Sequence, residues 1–194
     1  MNSQDLLRDY LSAQTDFSTT RQPATTALSP PVWRPPPIGS IKINVDGAFH
    51  PSTGAAGIGI VARDAEGTLL LGRATYLDTV ADSTSAELQA ISAGVLLGVE
   101  AGWQGFILES DAALLINRLC RAGEDASTLR RQLQDIRSLI DTVSSLRLHY
   151  VPREANTLAH SVANWALHFQ SSMYFGPGLP DALRTFVPVV NQPP

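Results

Sequence analysis

Three acidic residues stand where an acid needs a reason. Asp46 interrupts the run Ile43-Asn44-Val45-Asp46-Gly47-Ala48 and is followed directly by glycine. Glu87 sits at the opening of an apolar helical pattern, three residues after Thr84. Asp111 follows the apolar stretch Phe106-Ile107-Leu108, at the point where another helical pattern begins. Carboxylates gathered without Lys or Arg push one another's pKa values upward unless a cation compensates. Hard divalent cations do this through oxygen ligands, and Mg²⁺ prefers one or two carboxylates, waters and phosphate oxygens. Two such ions about 4 Å apart stabilise both the attacking and the leaving oxygen of an in-line phosphoryl displacement. The residue types thus suit metal-assisted chemistry on a phosphate ester. Two of the acids also have a local alternative: Glu87 can close a capping box with Thr84, and Asp111 can cap a helix at a strand-to-helix junction.

The elements around these acids follow from periodicity. Ile41, Ile43 and Val45 alternate with Lys42 and Asn44, the period-2 pattern of a strand. Residues 56–62 and 68–76 read as two more strands, joined through Asp64-Ala-Glu-Gly67 as a hairpin turn. Together the three make an antiparallel meander. The period then lengthens. Ser83 or Thr84 caps a helix whose Leu88, Ile91, Val95, Leu96 and Val99 share a face, and Gly102 closes it. Residues 106–108 form a fourth strand, Asp111 opens a second helix, and residues 128–143 form a third. Leu146, Leu148 and Tyr150 alternate as a fifth strand, and residues 155–169 form the last helix. Right-handed crossovers place the later strands parallel to the first. The expected fold is α/β, a mixed five-stranded sheet flanked by helices. The first and fourth strands are then parallel neighbours, so Asp46 and Asp111 converge at their C-terminal ends, and Glu87 reaches them from the first helix.

The same residues resemble a known family. Trp33-x-Pro35-Pro36, Lys42-Ile-Asn44-Val-Asp46-Gly47-Ala48, Gly57-Ile-Gly59, Arg63-Asp64-x-x-Gly67, Ala86-Glu87, Glu109-Ser-Asp111 and Val151-Pro-Arg-Glu-Ala-Asn156-x-x-Ala159-His160 look like the type 1 ribonuclease H domain, in its plant reverse-transcriptase-like, retroelement-derived branch. Each piece is weak alone; their order and spacing over residues 33–170 are specific. The resemblance implies a ribonuclease H fold and metal-dependent cleavage of the RNA strand of RNA–DNA hybrids, with Mg²⁺ as cofactor and Mn²⁺ as the alternative. It carries the catalytic, metal-binding carboxylates onto Asp46, Glu87 and Asp111, and a further catalytic position onto His160. It sets Gly47, Ala48, Ser83, Thr84, Arg153 and Asn156 around the bound nucleic acid. At His160 the family usually has a fourth carboxylate. An imidazole suits Mn²⁺ better than Mg²⁺ and can carry a proton near neutral pH. The competing reading is a catalytically weak or inactive nucleic-acid-binding or protein-interaction domain of the same fold. An actin-like or sugar-kinase half, suggested by Asp46-Gly47 beside a glycine hairpin, would need a second similar half.

Composition bounds the rest. The chain has 194 residues, 44% of them hydrophobic, enough for a core and against wholesale disorder. No apolar run reaches membrane-spanning length, and the N-terminus shows no secretory pattern, so a nuclear or cytoplasmic location is the default. Cys120 is the single cysteine and reads as a core thiol in a helix. Net charge is −4, which gives no support to nonspecific nucleic-acid binding. Lys42 is the single lysine among 14 cations. The segment from Arg118 to Arg137 balances its arginines with Glu124, Asp125 and Asp135, so it is no basic grip for a hybrid. Glu109, two residues before Asp111, reads as a solvated edge residue. Of 13 prolines, only Pro51 and Pro152 fall within residues 40–170. That split suggests a flexible Ser/Thr/Pro-rich arm over residues 1–39, a domain over 40–170 and a loose Pro/Gly-rich tail over 171–194, where Phe175, Phe186 and Val187 can dock. A monomer is expected.

Overall fold

The computed structural model describes residues 32–121 and 129–187. The expected mobile arm before residue 32, including the patch Leu6 to Leu11, lies outside the described residues, as do Glu124 and Asp125. The observed order begins with β1 (Lys42–Phe49), β2 (Ala56–Arg63) and β3 (Leu69–Leu77). Then come α1 (Ser83–Glu100), β4 (Gly105–Ser110), α2 (Ala113–Cys120), α3 (Arg130–Ile140) and β5 (Ser145–Tyr150). A short 3₁₀ turn (Arg153–Ala155), α4 (Thr157–Phe169), β6 (Met173–Phe175) and α5 (Asp181–Arg184) complete it. The sheet order is β5-β4-β1-β2-β3-β6. The meander is antiparallel, whereas β1–β4 and β4–β5 are parallel.

The sheet has six strands rather than the expected five. The sixth comes from the segment read as a loose tail: Met173, Tyr174 and Phe175 pair with Ala74, Arg73 and Gly72. A side chain at Gly72 would collide with the Phe175 ring, so glycine makes the space for it. Leu179, Leu183 and Val187 bury against Val61, Leu158, Val162 and Trp165. A few well-spaced apolar residues outweigh the prolines, because the area they remove from water offsets the ordering cost of a short segment. The expected arm likewise ends in contact with the domain. Pro36 is buried, and the Trp33 ring lies 3.5 Å from the Arg63 guanidinium.

Two layers of helix cover the sheet. α1 packs on the face bearing Ile43, Val45, Ile58 and Ile60, and Leu88, Ile91 and Val95 fill that core. A Cβ at Gly94 would meet Val45 and Leu108, so glycine sets this close approach. α4 packs on the other face, where a Cβ at Gly57 or Gly59 would strike the backbone of Ala163 or Ala159. The caps differ from expectation. α1 is capped by Asp82, whose Oδ1 accepts from the Ser85 N–H at 2.7 Å, and Ser83 and Thr84 fall in its first turn. At the start of α2 the Ser110 hydroxyl accepts from the Ala112 N–H, so Asp111 is free of capping. Cys120 is exposed at the end of α2 and is not a core thiol. Among the described residues, no helix is long and apolar enough to cross a membrane.

Candidate active site

Parallel pairing of β1 with β4 sets Asn44 opposite Glu109. Two residues further along, where this pairing has ended, Asp46 in the middle of β1 and Asp111 just past the end of β4 come together. Gly47 brings in the third acid. A Cβ there would lie 2.6 Å from the Ala86 carbonyl carbon and 2.7 Å from the Glu87 nitrogen, so the first turn of α1 rests directly on β1. Gly47 thus serves close packing of α1 on β1. Carboxylate oxygens of Asp46, Glu87 and Asp111 all lie within 4.8 Å of one another.

The electrostatics of this cluster are unresolved by the protein itself. Burial, then the charges of Asp46 and Asp111, push Glu87 up to about 8, against a backbone hydrogen bond from Gly47. Burial and the neighbouring Asp46 also raise Asp111 above the ordinary carboxylate range. Asp46 Oδ1 and Glu87 Oε2 are buried and have no hydrogen-bond partner among the described residues. Arg153 Nη1 stands 3.4 Å from Asp111 Oδ2 on a largely exposed side chain. Two orphaned carboxylate oxygens aimed into one acidic cluster are the donor set that a hard divalent cation satisfies. The residues therefore fit such an ion.

His160 joins the site from α4. Its Nδ1 lies 2.9 Å from Asp46 Oδ2. Arg153 Nη2 and Asn164 Nδ2 each lie 3.0 Å from Nδ1 and 2.9 Å from Nε2. An ionised carboxylate only accepts, so the contact with Asp46 is a hydrogen bond when Nδ1 carries the proton. Both ring nitrogens are thus engaged within the protein. Asn156 opens α4 without a side-chain cap, because its amide turns to the site. It donates to Val45 O at 2.9 Å and to Asp111 Oδ1 at 3.1 Å. Ser83 and Thr84 line a shallow hollow of about 260 Å³ with Glu87 and the first residues of α2. Ala48 is buried in the β1–β2 ladder opposite Gly57.

The sequence reading missed the polar layer beneath these groups. Glu109 is buried rather than solvated, because its Oε1 pairs with Lys42 Nζ at 2.7 Å and its Oε2 accepts from Asn44 at 3.0 Å. Lys42, Asn44 and Arg63 are buried with it. The signal was the alternation itself: Lys42, Asn44 and Asp46 share one strand face, with Arg63 on the paired strand.

A profile of the family described as reverse transcriptase-like matches residues 44–166. The chain belongs to that family. A protein of Arabidopsis thaliana, provisionally named a ribonuclease H protein, is 26% identical over 155 residues. The match covers 80% of this chain and 25% of that relative, so the chain spans about a quarter of its length. RNase H1 of Halobacterium salinarum superposes with a TM-score of 0.62 at 25% identity, covering 68% of this chain and 99% of that one. The N-terminal RNase H domain of a Mycobacterium tuberculosis protein, solved as a fusion with maltose-binding protein, gives 0.60 at 24%, covering 67% and 94%. LC11-RNase H1, whose sequence was isolated from compost, gives 0.60 at 21% in its complex with RNA/DNA hybrid, covering 68% and 99%. The described domain is a ribonuclease H domain of the retroelement-like branch.

Proposed function

We propose that this chain is a metal-dependent endoribonuclease that cuts the RNA strand of RNA–DNA hybrids. The observation that carries the reading is the cluster of Asp46, Glu87 and Asp111, with its two orphaned buried oxygens, where the parallel pairing of β1 with β4 ends. Those three carboxylates would hold Mg²⁺ or Mn²⁺. When bound, such an ion polarises the phosphate and lowers the pKa of a water for in-line attack. The chain's own residues supply the setting. Asn156 fixes Asp111 by holding Oδ1, and His160 fixes Asp46 by donating to Oδ2. Arg153, mostly in solvent beside them, offers a guanidinium to a phosphate. Ser83 and Thr84 present hydroxyls at the edge of the cluster, within reach of sugar or phosphate oxygens. Contacts of this kind address the backbone and 2′-hydroxyls, so cleavage is tolerant of sequence. The similarity to a chain solved with RNA/DNA hybrid supports this choice of substrate.

The test is direct: purified protein, a labelled RNA–DNA hybrid, a DNA duplex as control, and Mg²⁺ or Mn²⁺ in turn. Cleavage confined to the RNA strand of the hybrid and stopped by a chelator is the expected result. If neither the native chain nor His160→Asp cleaves in either metal, the domain is a non-catalytic binding module.

A further inference from the structure

Charge buried this far from solvent needs a reason. Lys42, Arg63 and Glu109 are each less than a tenth exposed, and Asn44 is fully buried between them. Apolar residues of similar volume would fill this space at lower cost, because an ion pair loses about as much by desolvation as it gains by attraction. The arrangement does something that apolar packing cannot: it fixes the direction of two amides.

Asn44 Oδ1 accepts from Arg63 Nη2 at 3.0 Å, while its Nδ2 donates to Glu109 Oε2 at 3.0 Å and Asn156 Oδ1 at 3.2 Å. Turning this amide over would set NH₂ against a guanidinium and a carbonyl against a carboxylate. Asn156 is fixed in turn. With Oδ1 accepting from Asn44, its Nδ2 must face Val45 O and Asp111 Oδ1. The negative charge of Glu109 thereby dictates that Asp111 receives a donor on Oδ1 and keeps Oδ2 on the open side. The far end is closed by the segment before β1. Lys42 Nζ, paired with Glu109, also donates to Arg34 O at 2.7 Å. The Trp33 ring covers the Arg63 guanidinium at 3.5 Å.

We propose that Glu109, Asn44 and Asn156 form a positioning relay that aims the Asp111 carboxylate at the metal position, and that Trp33 and Arg34 hold the relay shut. The proposal rests on the metal-site reading above and assigns a role to the buried polar groups beneath the three carboxylates.

Glu109→Gln removes the charge at nearly constant shape, and Trp33→Ala opens the far end from a partly exposed position. Two readouts use the whole metal-free chain: the Asn156 side-chain amide signals in NMR, and Mn²⁺ affinity from paramagnetic relaxation of water. Glu109→Gln is expected to shift the Asn156 signals and to weaken Mn²⁺ binding about 10-fold, the usual scale for loss of a group that orients a metal ligand. Trp33→Ala should do the same by about threefold. A purely structural role would lower the melting temperature and leave the Mn²⁺ affinity of the folded protein unchanged, and that result overturns the relay. So do unmoved Asn156 signals. Should Glu109→Gln fail to fold, Trp33→Ala decides by the same two measurements. A native chain that binds Mn²⁺ but leaves hybrid uncut refutes the nuclease while the affinity ratio still decides the relay. A native chain that binds no Mn²⁺ overturns the relay.

Discussion

The two faces of β1 are both buried and have nothing else in common. Ile43 and Val45 meet Leu88, Ile91, Val95 and Gly94 of α1 in a continuous apolar core. Lys42, Asn44 and Asp46 point the other way, under the start of α4, into ion pairs and amides that end in an acidic cluster. Hydrophobic burial is non-directional and strong, so the first face holds the sheet together. Hydrogen bonds and buried charges contribute little net stability but tolerate few arrangements, so the second face sets geometry. One strand thus separates stability from chemistry by alternation alone. A parallel strand buried on both sides is ordinarily apolar throughout, and the departure here marks the site.

The sharpest test of this division is Asp46→Asn. The substitution keeps shape and removes one of three repelling charges. Hybrid cleavage should fall to background while the melting temperature holds or rises; retained cleavage would move the chemistry elsewhere. Next are paired substitutions, one on each face. Ile91→Ala opens a cavity in the apolar core and should cost about 2–5 kcal/mol in urea unfolding, with Mn²⁺ affinity of the folded protein unchanged. Gly59→Ala drives a Cβ to 2.2 Å from Ala159 O and 2.5 Å from Ala163 N. It should cost about 3 kcal/mol and also weaken Mn²⁺, since α4 carries Asn156 and His160. Equal effects of the two on metal affinity would erase the distinction between the faces.

Smaller effects sharpen it. His160→Asp replaces the donor to Asp46 with a fourth carboxylate. The Mg²⁺/Mn²⁺ rate ratio should rise several-fold, because the hard ion gains more from added oxygen. An unchanged ratio would place residue 160 outside the metal's reach. The least effect concerns pH. The Glu87 carboxyl is raised to about 8 in the folded chain against an ordinary 4.5. Between those values the unfolded chain loses its proton first, so the metal-free protein loses stability as pH rises from about 5 to about 8. Its melting temperature should drop over that range. A saturating divalent ion should abolish the drop, because it binds the ionised form. A metal-free melting curve that is flat from pH 5 to 8 would show that Glu87 is not strained by its neighbours.

The three acids, the meander, the parallel pairing of β1 with β4 and the helix over the sheet could all be read from the chain. The pairing follows from the right-handed crossover rule, and the others from local periodicity or residue chemistry that neighbours in sequence make visible. The burial of Glu109 could not. Its partner Asn44 is 65 residues away, and Asn44 reaches Asn156 across 112. Alternation says which side of a strand a residue takes, but not whether water or a helix covers that side, and a polar face reads as a wet one by default. The sixth strand was hidden for a related reason: prolines signal local irregularity, whereas docking depends on whether Gly72 leaves room for Phe175. The cap of α1 passed from Ser83 or Thr84 to Asp82 because a carboxylate one or two residues earlier reaches the free Ser85 N–H. The sequence by itself thus determined which residues can do the chemistry and which elements carry them. Tertiary structure alone decided which polar groups are dry, because dryness is a property of what packs on top.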